Sequence, residues 1–89
     1  MDWTIRFNEK AEKQLEELDK PIRERILNYL TERINGSKNP RHFGDGLTAN
    51  LAGLWRYRVG DYRVVCRIED STITVLVLNI GHRSTVYHS

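Results

Sequence analysis

Two residues, Gly60-Asp61, separate a pair of strand-forming runs, Leu54–Val59 and Tyr62–Glu69. So short a link joins antiparallel strands as a tight hairpin, because Gly supplies the positive φ that matches the strands' twist. Side chains along each strand then alternate between two faces. In the first strand Leu54, Arg56 and Arg58 share one face, and Trp55, Tyr57 and Val59 share the other. In the second, Tyr62, Val64, Cys66 and Ile68 form the apolar set, while Arg63, Val65 and Arg67 point the opposite way. Four arginines therefore collect on one face: Arg56, Arg58, Arg63 and Arg67. Like charges placed opposite each other destabilise a sheet. The pattern reads as a surface built to meet an anionic partner. The plain alternative is a solvated face partly neutralised by Glu69 and Asp70.

Upstream, "WTIRF" sets Trp3, Ile5 and Phe7 against Thr4 and Arg6, the period of a half-buried strand. Asn8 can cap a helix beginning at Glu9, with Ala11, Leu15 and Leu18 on its apolar side. Asp19-Lys20-Pro21 interrupts, and Pro21 suits the first turn of a second helix. Ile22, Ile26, Tyr29, Leu30 and Ile34 give that helix its buried stripe, and Gly36 ends it. Residues 35–50 read as a long loop, with three Gly and one Pro. Thr72–Ile80 is apolar on both faces, as a central strand would be. The predicted class is α+β, in the order β-α-α-β-β-β. A helical hairpin packs on one face of a mostly antiparallel sheet, and the other face stays partly open. The 89 residues suit a single domain, 1–89.

Charge follows the same division. Residues 8–35 carry six basic and seven acidic side chains, whereas residues 38–67 carry six basic and only two acidic ones, Asp45 and Asp61. A local positive field of this kind attracts nucleic acid or an acidic protein segment. The single cysteine, Cys66, excludes an intrachain disulfide and reads as a small buried hydrophobe. "MDWTIRFNEK" has no apolar core of a signal peptide, and "ITVLVLNI" is too short to span a bilayer. The expectation is a cytoplasmic protein with no membrane partner. His42, His82 and His88 form no metal-ligand pattern with Cys66 or an acidic pair, and no glycine-rich phosphate cradle is present. No cofactor or metal is expected.

The spacing W-R-Y-R-V-G-D-Y-R, then an apolar strand and G-H-R-x-x-V-Y, resembles the RelE/ParE superfamily of bacterial toxins. The likeness covers almost the whole chain and is closest to RelE-type mRNA interferases of type II toxin–antitoxin systems. It implies a RelE-like microbial RNase fold and a ribosome-dependent endoribonuclease. Such a toxin cleaves mRNA in the ribosomal A site through 2′-OH attack and inhibits translation. It further implies a RelB-like antitoxin partner in a heterotetramer, with the ribosome and mRNA as the other partners. Arg56 and Arg58 match the two basic residues of the family's first hairpin strand, Arg63 the arginine of the second, and Arg83 and Tyr87 the C-terminal pair. Three departures stand out: arginines replace the type member's lysines at 56 and 58, the Gly81–Tyr87 segment is shorter, and no C-terminal helix follows. The alternative within the superfamily is a ParE-type toxin, a non-enzymatic inhibitor of DNA gyrase. A basic module that only pairs with an antitoxin is a third reading.

Metal-independent RNA cleavage needs a base for the 2′ proton, donors for the phosphoryl oxygens and an acid for the leaving 5′ oxygen. Arginine suits the second task, since its fork binds phosphate bidentately and stays charged. Arg63 and Arg83 are assigned that role, with Arg56, Arg58 and Arg67 holding the RNA backbone. Arginine cannot serve as the base. Tyr87 is the first candidate, because neighbouring arginines favour its phenolate. His82 and His88 are its rivals.

Overall fold

The computed structural model describes residues 2–86. Strand β1 (Thr4–Phe7) leads into helix α1 (Glu9–Glu17), whose N-terminus is capped by Asn8, its side chain accepting from the Ala11 N–H at 2.8 Å. Helix α2 (Lys20–Tyr29) carries its proline in the first turn and continues into a π-helical segment, Leu30–Ile34. Gly36, at φ +80°, ends the helical run, and its N–H donates to the Trp3 carbonyl at 2.8 Å. The end of the helical hairpin is thereby tied to the start of β1.

Four more strands complete the sheet: β2 (Asp45–Gly46), β3 (Trp55–Val59), β4 (Tyr62–Glu69) and β5 (Thr74–His82). The spatial order is β1-β5-β4-β3-β2, with β1 parallel to β5 and the other pairs antiparallel. The α+β class and the helical hairpin over a mostly antiparallel sheet stand as expected. Two details differ. The stretch read as one loop contains β2, a two-residue strand with no visible period. The last strand starts at Thr74 rather than Thr72, because Asp70–Thr72 forms a 3-10 turn closed by Ile73 at φ +51°.

Ala11, Ile26, Leu30 and Ile34 from the helical layer meet Tyr57, Val59, Val64, Cys66, Val75, Val77 and Ile80 from the sheet in one core. Cys66 is fully buried, and burial pushes its thiol up, leaving it unreactive as the hydrophobic reading required. The long loop is fastened to this core. The Tyr57 hydroxyl donates to the Pro40 carbonyl at 2.7 Å, and the Trp55 indole N–H donates to the Phe43 carbonyl at 2.8 Å.

A bidentate contact, Arg41 to both Asp70 oxygens at 3.0 and 2.9 Å, pins the same loop to the β4–β5 turn. The hydrogen bond from Arg41 holds the Asp70 carboxyl below the usual carboxylate range. A lowered folded value means the contact contributes above the ordinary range and is lost as pH falls through the depressed value. Asp70→Asn should therefore flatten the loss of Tm on acidification below about pH 4. Identical acid limbs for the variant and the parent would show that the contact contributes nothing.

Candidate anion-binding site on the open sheet face

Arg58 and Arg63 are direct register partners across the β3–β4 hairpin, and Arg56 sits opposite Val65. Arg67 lies one pleat beyond Val65 on the same face. Alternation thus brings together the four arginines that it predicted. It also places Arg6 of β1 across Leu76 from Arg67, a residue the sequence reading had left out of the set. Tyr57 and Val59 point into the core, and Trp55 and Tyr62 pack against it from partly buried positions.

The carboxylates on this face are distributed unevenly. Asp45 of β2 pairs directly with Arg56, whose side chain is only 19% exposed, and lies 3.9 Å from Arg58. Glu69 lies 3.4 Å from Arg67. Asp61 lies 4.0 Å from Arg83, and its carbonyl accepts the Arg83 backbone N–H at 2.8 Å. Asp70 is engaged with Arg41 and neutralises none of the face. Arg6 has no carboxylate within 4 Å among the described residues, and neither has Arg63. The Nη1 of Arg63 donates to the Gly60 and Tyr62 carbonyls, both at 2.9 Å. Asp45, one of the two acids of the basic stretch, therefore sits on this face, and the other, Asp61, sits in the hairpin turn beside Arg83. Their isolation amid so many cations was the signal that could have found them.

These ion pairs differ in strength. Arg58, Arg67 and Arg83 are well exposed, so a phosphate can displace their carboxylates at a cost of at most about 1 kcal/mol each. Arg56 is partly buried and fixed by Asp45 of the edge strand, so it is the least free of these guanidinium groups to meet an incoming anion.

His82 ends β5 opposite Tyr62, and the two rings meet edge to face at 5.7 Å. The Ser84 N–H donates to His82 Nδ1 at 3.2 Å, and Ser84 Oγ lies 2.8 Å from the same atom. An amide nitrogen can only donate, so the neutral ring carries its proton on Nε2 and presents a donor outward. Tyr87 and His88, the other proton-transfer candidates, lie outside the described residues. Among the described residues no group of three or more His, Cys, Asp and Glu is placed to hold a metal, and no helix is long and apolar enough to cross a membrane. A groove of about 560 Å³ runs between α2 and the end of β3; of the five arginines, only Arg58 borders it. The basic site is an open surface, suited to a polymer rather than an enclosed small molecule.

The profile of the ParE toxin of the type II toxin–antitoxin system parDE matches residues 5–87. The chain belongs to this toxin family. The ParE-family chain is 32% identical over 87 residues to Toxin RelG of Mycobacterium tuberculosis, covering 98% of each. It is 43% identical over 66 residues to Toxin RelE of the same organism, covering 72% of this chain and 68% of that one. Its fold superposes with a TM-score of 0.81 on a chain of the RelBE2 toxin–antitoxin complex from Mycobacterium tuberculosis, at 29% identity and 94% coverage of both. This toxin therefore sits in the RelE/ParE superfamily, as the hairpin and tail motifs implied.

Proposed function

We propose that this toxin is a metal-independent, ribosome-dependent endoribonuclease that cleaves mRNA in the A site. The observation that carries the reading is Arg63. Its guanidinium has no carboxylate within 4 Å among the described residues, it faces Arg58 across the hairpin, and its strand adjoins the turn bearing Arg83. A phosphodiester on this face would meet forked donors from two strands and the tail at once.

The ribose 2′-OH attacks the adjacent phosphorus and loses its proton to a base. Charge gathers on the phosphoryl oxygens, where Arg63 and Arg83 stabilise it. The bond to the 5′ oxygen breaks as that oxygen takes a proton, leaving a 2′,3′-cyclic phosphate and a 5′-hydroxyl. Tyr87 is the proposed base. His82 is the proposed acid in its imidazolium form, giving the Nε2 proton to the 5′ oxygen while Ser84 Oγ accepts from Nδ1–H. Arg58 and Arg67 hold flanking phosphates. The ribosome supplies alignment, which alone is worth several kcal/mol.

The partners proposed are mRNA, the ribosome and a RelB-like antitoxin, in a cytoplasmic heterotetramer. The RelBE2 toxin–antitoxin complex, whose matching chain is 29% identical, supports the antitoxin. Brief expression followed by primer-extension mapping tests the activity: codon-phased cleavage ends are expected, and intact message during growth arrest would reject the reading. Gyrase inhibition is the second reading, favoured by the ParE profile itself; DNA damage without RNA cleavage would establish it. Replacing Arg58 with alanine should weaken RNA binding uniformly across sequences and reduce the slope of log K against log salt by about one. An unchanged slope would remove Arg58 from the phosphate contacts.

A further inference from the structure

Arg83 sits just beyond β5, on a turn rather than in the strand ladder. Its exposed ion pair with Asp61 is too weak to hold it. Yet the turn that carries it is fastened at both ends. At the near end, His82 is paired with Tyr62, and the Arg83 N–H reaches the Asp61 carbonyl. At the far end, the Thr85 and Val86 N–H groups both return to the His82 carbonyl at 2.9 Å. Val86 is 3% exposed, although it lies apart from the main core. It packs over Gly81, the register partner of Arg63. A Cβ on Gly81 would stand 3.4 Å from both Val86 Cα and Cβ, so any side chain there crowds the returning tail.

The fastening extends to α1. Strand β1 stops opposite Val77, and beyond that point the outer edge of β5 has no partner strand. At the same place the β4–β5 register slips, leaving Leu78 unpaired as a bulge. Gln14 fills the gap. Its Oε1 accepts the Ile80 N–H at 2.7 Å, and its Nε2 donates to Asn79 Oδ1 at 2.7 Å. Asn79 Nδ2 then donates to the Val86 carbonyl at 2.5 Å. This chain has one polarity. The Ile80 N–H can only donate and the Val86 carbonyl can only accept, so both carboxamides are oriented by backbone groups at the two ends.

We propose that Asn79 is a positioning residue for Arg83: braced by Gln14 and holding the Val86 carbonyl, it fixes the Arg83 turn beside Arg63. The inference rests on the ribonuclease reading. It adds a residue that touches no substrate and acts through the geometry of the phosphate donors, where a displacement of about 1 Å costs up to a hundredfold in rate.

Two measurements test it on the full-length toxin. The first is single-turnover cleavage of ribosome-bound message by the parent, Asn79→Leu, Arg83→Ala and the double variant. Asn79→Leu should lower the rate constant between about tenfold and a hundredfold, leave the half-saturating concentration within about twofold, and add nothing in the Arg83→Ala background. The second is hydrogen exchange. Asn79→Leu and Gln14→Leu should each accelerate exchange across residues 82–86 and leave the 55–67 hairpin protected. Multiplicative rate losses, or an unchanged tail turn, would overturn the proposal. Should the parent cleave no message, the ribonuclease reading falls, and exchange alone then decides whether the brace exists.

Discussion

Arg63→Ala should lower message cleavage by about a hundredfold or more, at an unchanged melting temperature. The side chain lies on the open face and, among the described residues, bonds only to carbonyls of its own hairpin, so its removal opens no cavity. What disappears is a forked donor in a field already made positive by Arg58. Those two carbonyl contacts also hold the guanidinium in place before substrate arrives, which spares reorganisation during the reaction. Arg63→Lys should recover only part of the loss, since an ammonium keeps the charge but not the bidentate fork. Single-turnover rates on programmed ribosomes, read beside thermal unfolding, separate the terms. A parental rate for the alanine variant would remove Arg63 from the chemistry.

The second large effect falls on stability, at Gly44→Ala. Gly44 adopts φ +77°, and a Cβ there would press on the Arg56 carbonyl and on the rings of Trp55 and Tyr57. Left-handed backbone costs a non-glycine residue about 1 kcal/mol or more, and overlap with packed neighbours adds about 1–3 kcal/mol. A total near 3 kcal/mol lowers the melting temperature of a domain this size by more than about 10 °C. Gly53 supplies the control: it adopts φ +94° with nothing within 4 Å of its notional Cβ. Gly53→Ala should show the backbone term alone. Equal losses at the two positions would mean that close packing at Gly44 contributes nothing. Because Gly44 immediately precedes Asp45, its replacement should also disturb the carboxylate that fixes Arg56.

The hairpin and its arginine face were legible because period-two alternation is a local property, and Gly60-Asp61 fixes the register on both sides. The two helices announced themselves through Asn8, Pro21 and Gly36. Strand β2 did not. Two residues have no period, and their place is set by pairing with Trp55 and Arg56 of the next strand. The pairing of charges was equally hidden. Arg56 and Arg63 look alike in sequence, yet one is fixed against Asp45 and the other meets only carbonyl oxygens. That difference depends on which strand lies at the sheet's edge. Gln14 and Asn79, 65 residues apart, carried no local signal at all. Their partnership arises from where β1 happens to stop.

The middle of the sheet is filled by the strand that comes after the other four in sequence. Strand β5 lies between β1 and β4, so β1 has no neighbour in the sheet until β5 has been made. Long-range closure of this kind is slow, and it cannot begin early. Without β5, β1 stands apart from the rest of the sheet, and Arg63 loses Gly81, its register partner.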